Sequence, residues 1–353
     1  MLTKKRYSVK EMVLWSRWET LIFVAYTGII TVLYEVFGFI FIEVPWTPVA
    51  LVGTAVAFMV GFQNNSAYGR IWEARKIWGA IVNTSRTWGM KVQDMVTAEW
   101  ATEPVSDEEI FKHKRILVYR HIAWMTALRY AMRQRKSWES QHKSHTNREW
   151  SKVIHIPEEV STLADNLMLY LSEDEKDYVL SKSNKQTAIL YLQSKHIREL
   201  KERGLIWGFA FLQLENVLEE LFTHQGKTER IKNFPYPRQY ASLAYYLTLT
   251  FLVLLPFGIV PEFADISDDI VKNFPRIAQY FIWLAVPFCA IVSWAFYIME
   301  RMARVGENPF EGLANDVPIS TISRSIEINL REMLDEDLNE IPKQFPETKN
   351  VQM

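Results

Sequence analysis

The stretch PVALVGTAVAFMVGFQNNSAYGRIWEARKIWG, residues 48–79, decides how the rest of the chain is read. Pro48 to Phe62 carries no charge and is mostly apolar, and without another proline it runs on into Arg70, Trp72, Glu73, Arg75 and Trp78. One helix is therefore expected to leave membrane depth and enter water unbroken. Thr54, Phe58 and Phe62 stand at i, i+4 and i+8, a single stripe at 3.6 residues per turn. Gly53, Ala57 and Gly61 each precede one of them by one position. Small residues beside large ones suit close helix packing in lipid. The same stripe also suits several copies gathered round an axis with the phenylalanines turned inward, and the spacing leaves both readings open.

The 353 residues are enough for two average domains. A near-zero mean hydropathy conceals strongly apolar blocks separated by strongly charged ones. A net charge of −1 argues against a nucleic-acid-binding protein, whose footprint is a basic face. The single cysteine, Cys289, lies in an apolar run and reads as a small packing residue. No cleavable secretory signal is recognised, because the first apolar run starts near residue 21 and is too long for one.

Outward from the opening stretch, residues 1–19 interleave Lys4, Lys5, Arg6, Lys10 and Arg17 with Trp15 and Trp18, an interfacial anchor on the cytoplasmic side. Leu21 to Ile42 is long enough to span, with Glu35 as its one charge. That carboxylate either reaches an interface or a neighbouring helix, or serves ion passage. Glu43 to Trp46 turns the chain into the second span. Residues 80–235 hold no span and read as amphipathic helices: over Asp107–Arg135, Ile110, Leu117 and Trp124 recur every seven residues, with Val118, Ala127 and Leu128 on nearby turns. Glu199 to Arg230 is expected as one further helix, broken by Gly226 and by Pro235 and Pro237.

Ala241 to Val260 is the third expected span, kinked or ended by Pro256. A connection over 261–276 holds Glu262, Asp265, Asp268 and Asp269 against Lys272 and Arg276, and this lack of basic excess puts it outside. Ile277 to Ile298 is the fourth. The expected fold is thus an all-α membrane protein of four transmembrane helices per subunit with a helical cytoplasmic domain and both termini inside. Its divisions are 1–79, the interfacial segment and first two spans with their extension; 80–239, the cytoplasmic body; 240–300, the last two spans; and 301–353, a cytoplasmic tail. In that tail Asn308-Pro309 and Gly312 are turn residues, Ser320 to Leu334 returns to helix, and Asp335 to Met353 has the composition of a disordered end.

Sites for chemistry are sparse. His142 and His145 are three residues apart in a polar stretch that reads as a solvated loop, and His113, His121, His155, His196 and His224 have no partner at a motif spacing. There is no glycine-rich phosphate loop, no metal spacing with enough ligands and no nucleophile paired with a base, so neither an enzyme, a metal site nor a cofactor is expected.

Three separated blocks resemble one family. GFQNNSAYGRIWEARKIWG, residues 61–79, resembles the prokaryotic bestrophin signature, a Gly-Phe pair followed by Asn, Tyr, Arg and a Glu-Ala-Arg-x-x-Trp-Gly run. GKTERIKNFPYPRQY, residues 226–240, is similar to that family's Glu-Arg-Ile and proline-x-proline turn, and ENPFEGLANDVP, residues 307–318, to its Asn-Pro-Phe-Gly acidic loop. The resemblance implies a homopentamer in the cell's inner or plasma membrane with one axial pore, its neck lined by the second span of each subunit. By position from the Gly-Phe pair, the neck rings would be Thr54, Phe58 and Phe62. Where relatives carry aliphatic residues at the two upper positions, Thr54 is polar and Phe58 aromatic, so Phe58 and Phe62 would form the constriction. Gln63, Asn64 and Asn65 just below could replace part of an ion's hydration shell, or serve helix surface and subunit contact. A second, cytoplasmic aperture would fall around Leu212.

Animal relatives are activated through an acidic calcium clasp after the Asn-Pro-Phe motif. Here Glu311 replaces the usual glycine and Leu313 an acidic ligand, leaving Asn308 and Asp316, too few oxygens for a tight site. The resemblance therefore implies a passive channel for small monovalent ions without calcium gating, with membrane lipid and further copies of itself as partners. Chloride-like anions are favoured because most of the family it resembles conducts them and because no acidic ring lies in the expected neck. A sodium-type cation channel of the same fold is the alternative, and a non-conducting scaffold or a membrane-anchored enzyme stands further off.

Overall fold

The computed structural model describes residues 1–139, 149, 154–271 and 274–353. His142 and His145, and Lys272, lie outside them. Regular structure among the described residues is helical, apart from isolated bridges of Val351 with Leu2 and with Thr348. The chain divides into two compact units, one made of residues 4–69 and 236–307 and the other of residues 1–3, 70–235 and 308–353.

In the unit of residues 4–69 and 236–307, helix α1, Val9–Glu35, begins at a capping box. The Ser8 hydroxyl accepts from the Glu11 amide, and the Glu11 carboxylate accepts from the Ser8 amide at 2.8 Å. Two otherwise orphaned donors are satisfied in this way. The helix stops at Glu35, which is exposed, and the chain reverses through Gly38 at φ +70°, followed by a 3₁₀ turn over Ile40–Ile42. The expected span Leu21–Ile42 is therefore corrected, because a left-handed glycine ended a run whose hydropathy did not change. Helix α2, Trp46–Met95, starts with Pro48 in its first turn, where no helical hydrogen bond is lost, and runs fifty residues without interruption.

Helix α9 of this unit, Arg238–Val271, passes through both Pro256 and Pro261, correcting the expected end near Val260 and the loop from residue 261. Pro261 has no N–H for the Phe257 carbonyl four residues back. The Val44 amide supplies the missing donor at 3.1 Å, so the helix continues with its freed acceptor satisfied. The expected fourth span is also broken: helix α10, Pro275–Phe281, meets a 3₁₀ turn at Ile282–Leu284 before helix α11, Ala285–Gly306. Pro287 lies in the first turn of α11, and its ring would collide with the carbonyl four residues earlier if the helix were continuous. Cys289 is buried in the apolar core here, with Val56, Val60, Phe251 and Leu255.

Among the described residues, three helical stretches are long and apolar enough to cross a membrane by length and composition, Ile40–Met95, Gly208–Val271 and Ile282–Gly306. Shortened at Glu35, α1 is not among them.

The second unit is built on a conventional buried core. Helix α3, Asp107–Arg133, is capped by Ser106 and carries three acidic residues in its first turn, where the helix dipole favours them. Ile110, Leu117, Val118, Trp124, Ala127 and Leu128 are all buried, as the heptad spacing expected. Short helices α4 (Pro157–Val160), α5 (Leu163–Leu167) and α6 (Glu173–Leu180) lead to α7, Lys185–Glu202, and α8, Gly208–Asn233. The single helix expected over Glu199–Arg230 is thus two. Gly204, at φ +73°, makes the break, and a Cβ there would lie 2.0 Å from the Trp100 carbonyl oxygen, so only glycine fits. Gly226, expected as a breaker, sits inside α8.

Helix α12, Ile319–Glu332, follows a loop turned at Gly312, φ +97°. The last residues, expected to be disordered, instead return to the start of the chain. Val351 pairs with Leu2, Met353 accepts a backbone hydrogen bond from Thr321, and both side chains are buried beside Ile154 and Ile156.

Candidate pore-lining face

The first half of α2 has a buried and an open side. Val49, Gly53, Val56, Val60, Gln63 and Ala67 recur at three- and four-residue steps and are buried in their unit. Gly53 makes the closest approach, since a Cβ there would stand 2.7 Å from the Phe251 ring. Gly61, on the open side, has nothing within 4 Å of such a Cβ. Thr54, Phe58 and Phe62 all lie on the open side, with the two rings 65% and 68% exposed. The Thr54 hydroxyl donates back to the Ala50 carbonyl at 2.9 Å, satisfying its proton within the helix. No charged residue occurs from Trp46 to Gly69.

Thr54 and Phe58 of this stripe also line an apolar groove of about 580 Å³. Ala50, Gly53 and Ala57 form one wall, Phe251, Leu255 and Ile259 of α9 a second, and Phe288, Val292 and Phe296 of α11 a third. Each wall is a same-face helical repeat.

The three amides expected beneath the rings are placed differently from one another. Asn65 is exposed on the open side. Gln63 is buried and donates through Nε2 to Glu307 Oε1 at 3.2 Å. Asn64 donates to the Met299 carbonyl at 2.9 Å and to the Val60 carbonyl at 3.0 Å. Leu212, in the other unit, is exposed near the start of α8, with Phe209 one turn before it.

The loop after Asn308-Pro309 uses its carboxylate internally. Asp316 accepts from the Gly312 and Leu313 amides at 2.7 and 2.9 Å, and burial pushes its pKa up to about 6. Asn308 and Glu311 are buried as well.

Tertiary structure also pairs histidines that are far apart in sequence. His113 Nδ1 and His196 Nε2 are 3.0 Å apart, and the outer nitrogens take N–H groups from Arg203 and Arg120, both at 3.1 Å. Burial, reinforced by Arg120, pushes the His196 pKa down to about 3. This cluster corrects the expectation that each histidine stands alone; its members are 83 residues apart, so no local spacing could reveal it. Among the described residues no three His, Cys, Asp or Glu side chains gather as a metal site.

The fold and the open stripe define a helical membrane protein whose spanning helix carries large apolar side chains that its own unit does not cover. The family model described as Bacterial/Fungal Bestrophin protein matches residues 3–272 and 274–332, so the chain belongs to the bestrophin family. It is 26% identical over 290 residues to the voltage-dependent anion channel-forming protein RSc3414 of Ralstonia nicotianae, covering 82% of this chain and 78% of that one. With the voltage-dependent anion channel-forming protein YneE of Escherichia coli K12 it shares 24% identity over 307 residues, 87% of this chain and 82% of the relative. A crystal structure of a bacterial bestrophin homologue from Klebsiella pneumoniae superposes with a TM-score of 0.69 at 23% identity, over 91% of this chain and 98% of that one, a likeness of fold.

Proposed function

We propose that this chain is one subunit of a homopentameric channel for small monovalent anions such as chloride, seated in the cell membrane. Four crossings, with α1 as the first, leave both termini in the cytoplasm. Thr54, Phe58 and Phe62 of five copies form successive collars round the axis, Asn65 faces the path below them, and Leu212 borders a cytoplasmic aperture. The carrying observation is the uncharged open stripe: two phenylalanines about two-thirds exposed on a spanning helix whose other side is fully packed. The names of the relatives support the choice of anions.

A collar of phenylalanines can close a narrow path by excluding water, and it presents positively polarised ring edges to an anion. Movement then follows the electrochemical gradient, and no bond is made or broken. The purified protein in a planar bilayer under a chloride gradient should reverse near the anion equilibrium potential. Reversal at the sodium potential would give the cation channel, and no flux in liposomes under any ionic condition would leave only a scaffold or an enzyme. Phe58→Ala should raise unitary conductance severalfold with the oligomer intact, and an unchanged current would return the stripe to ordinary packing.

A further inference from the structure

The residue after the lower collar is tied to a carboxylate that the pore does not use. Gln63 and Glu307 are buried at 3% and 2% exposure, and the amide Nε2 donates to Oε1 of Glu307 at 3.2 Å. The second oxygen, Oε2, lies 3.5 Å from Nη1 of Arg238, at the start of α9. Glu307 stands just past the last residue of α11, at the negative end of the helix dipole, where a carboxylate is disfavoured. Burial disfavours it again. A group so placed is not there to stabilise its own helix. These contacts join the pore-helix residue next to Phe62 to the first turn of a neighbouring spanning helix.

We infer that Glu307 is a positioning residue for the Phe62 collar, acting through Gln63; this rests on the channel reading above. Adjacent residues differ by about 100° round a helix, so anchoring Gln63 fixes the rotation at which Phe62 is presented. With side-chain tips roughly 5–6 Å from the axis, a rotation of about 30° would swing a ring by about 3 Å. That movement is comparable to the width of a small ion. Asn64, anchored on the Met299 carbonyl of α11, holds the same turn from a second point.

The test measures unitary conductance in planar bilayers together with oligomer mass by light scattering, on the full chain. Gln63→Leu and Glu307→Leu both remove the hydrogen bond, and each should change conductance at least threefold at unchanged mass. Their double variant should shift no further than either single one, since both break the same link. Glu307→Gln keeps an acceptor for Gln63 while giving up the charge facing Arg238, and should remain within about twofold of the parent. Leucine variants that assemble and conduct like the parent would overturn the inference, as would effects that multiply in the double. Loss of assembly in both single variants would also overturn it, by making the contact structural only. A parent protein that passes no ion would instead sink the channel reading itself.

Discussion

The two halves of α2 obey opposite rules although they belong to one uninterrupted helix. In the first half Leu51, Phe58 and Phe62 point away from the protein, each about two-thirds exposed. In the second half Trp78, Ile81, Trp88 and Val92 are completely buried, and none of its charged residues is. Burial of apolar surface is driven by water, at roughly 25 cal/mol per Å² removed. Where the surroundings are hydrocarbon or other subunits, that drive disappears and side-chain size is free to serve another purpose. The same contrast separates the two units: one is apolar on several helix faces at once, while the other hides a core of tryptophan, leucine and isoleucine beneath charges.

The most forceful way to break this comparison is to remove a large side chain from each half. Trp88 is fully buried, stacks on His121 with ring centroids 6.1 Å apart, and donates to the Leu117 carbonyl at 3.3 Å. Trp88→Ala should cost about 3–5 kcal/mol, read as a lower denaturation midpoint in detergent. A midpoint that does not move would mean that the second half of α2 is not organised by its core.

Acid sharpens the comparison next, because buried titratable groups report only on the unit that holds them. His121 is fully buried, neither ring nitrogen has a protein hydrogen-bond partner, and burial pushes its pKa down to about 3 from an ordinary 6.5. Below pH 6.5 the unfolded chain takes up a proton that the folded one refuses, so stability falls as pH drops from 6.5 towards 3. The loss from this group is roughly 2 kcal/mol at pH 5. His121→Phe, which keeps the aromatic volume, should recover about that amount at pH 5 and much less at pH 8, measured by thermal melts at both.

Asp316 works in the other direction. Burial holds its pKa near 6 against an ordinary 3.8, so the folded protein keeps a proton that the unfolded one releases. Its contribution improves as pH falls from 7 to 5, by roughly 1 kcal/mol. Asp316→Asn keeps an acceptor for the Gly312 and Leu313 amides and should flatten that part of the melting profile. An unchanged slope would show that the carboxylate is ionised throughout.

The smallest effect belongs to the open half of α2. Phe58→Ala should alter the unfolding free energy by no more than about 0.5 kcal/mol, the range of a largely exposed site. A loss as large as that of Trp88→Ala would erase the distinction between the halves.

Much of this was legible in the sequence because it depends on near neighbours. The uncharged run from Pro48, the stripe of Thr54, Phe58 and Phe62 and the heptad of Ile110, Leu117 and Trp124 are periodic signals, and each places its residues on one helical face. Proline and glycine misled where their effect depended on a distant partner. Pro261 leaves its helix whole because the Val44 amide reaches Phe257, and Gly226 stays helical while Gly204 turns against Trp100.

From residue order alone, then, came the all-helical class, the membrane-depth segments and the choice of stripe, since hydropathy and a 3.6-residue period are local properties. Tertiary structure alone decided that α1 stops at Glu35, that Gln63 turns inward to Glu307 while Asn65 stays open, and that His113 meets His196. A hydrogen bond between residues eighty or more positions apart leaves no trace in spacing; it exists only once the packing of the helices has brought its two ends within reach.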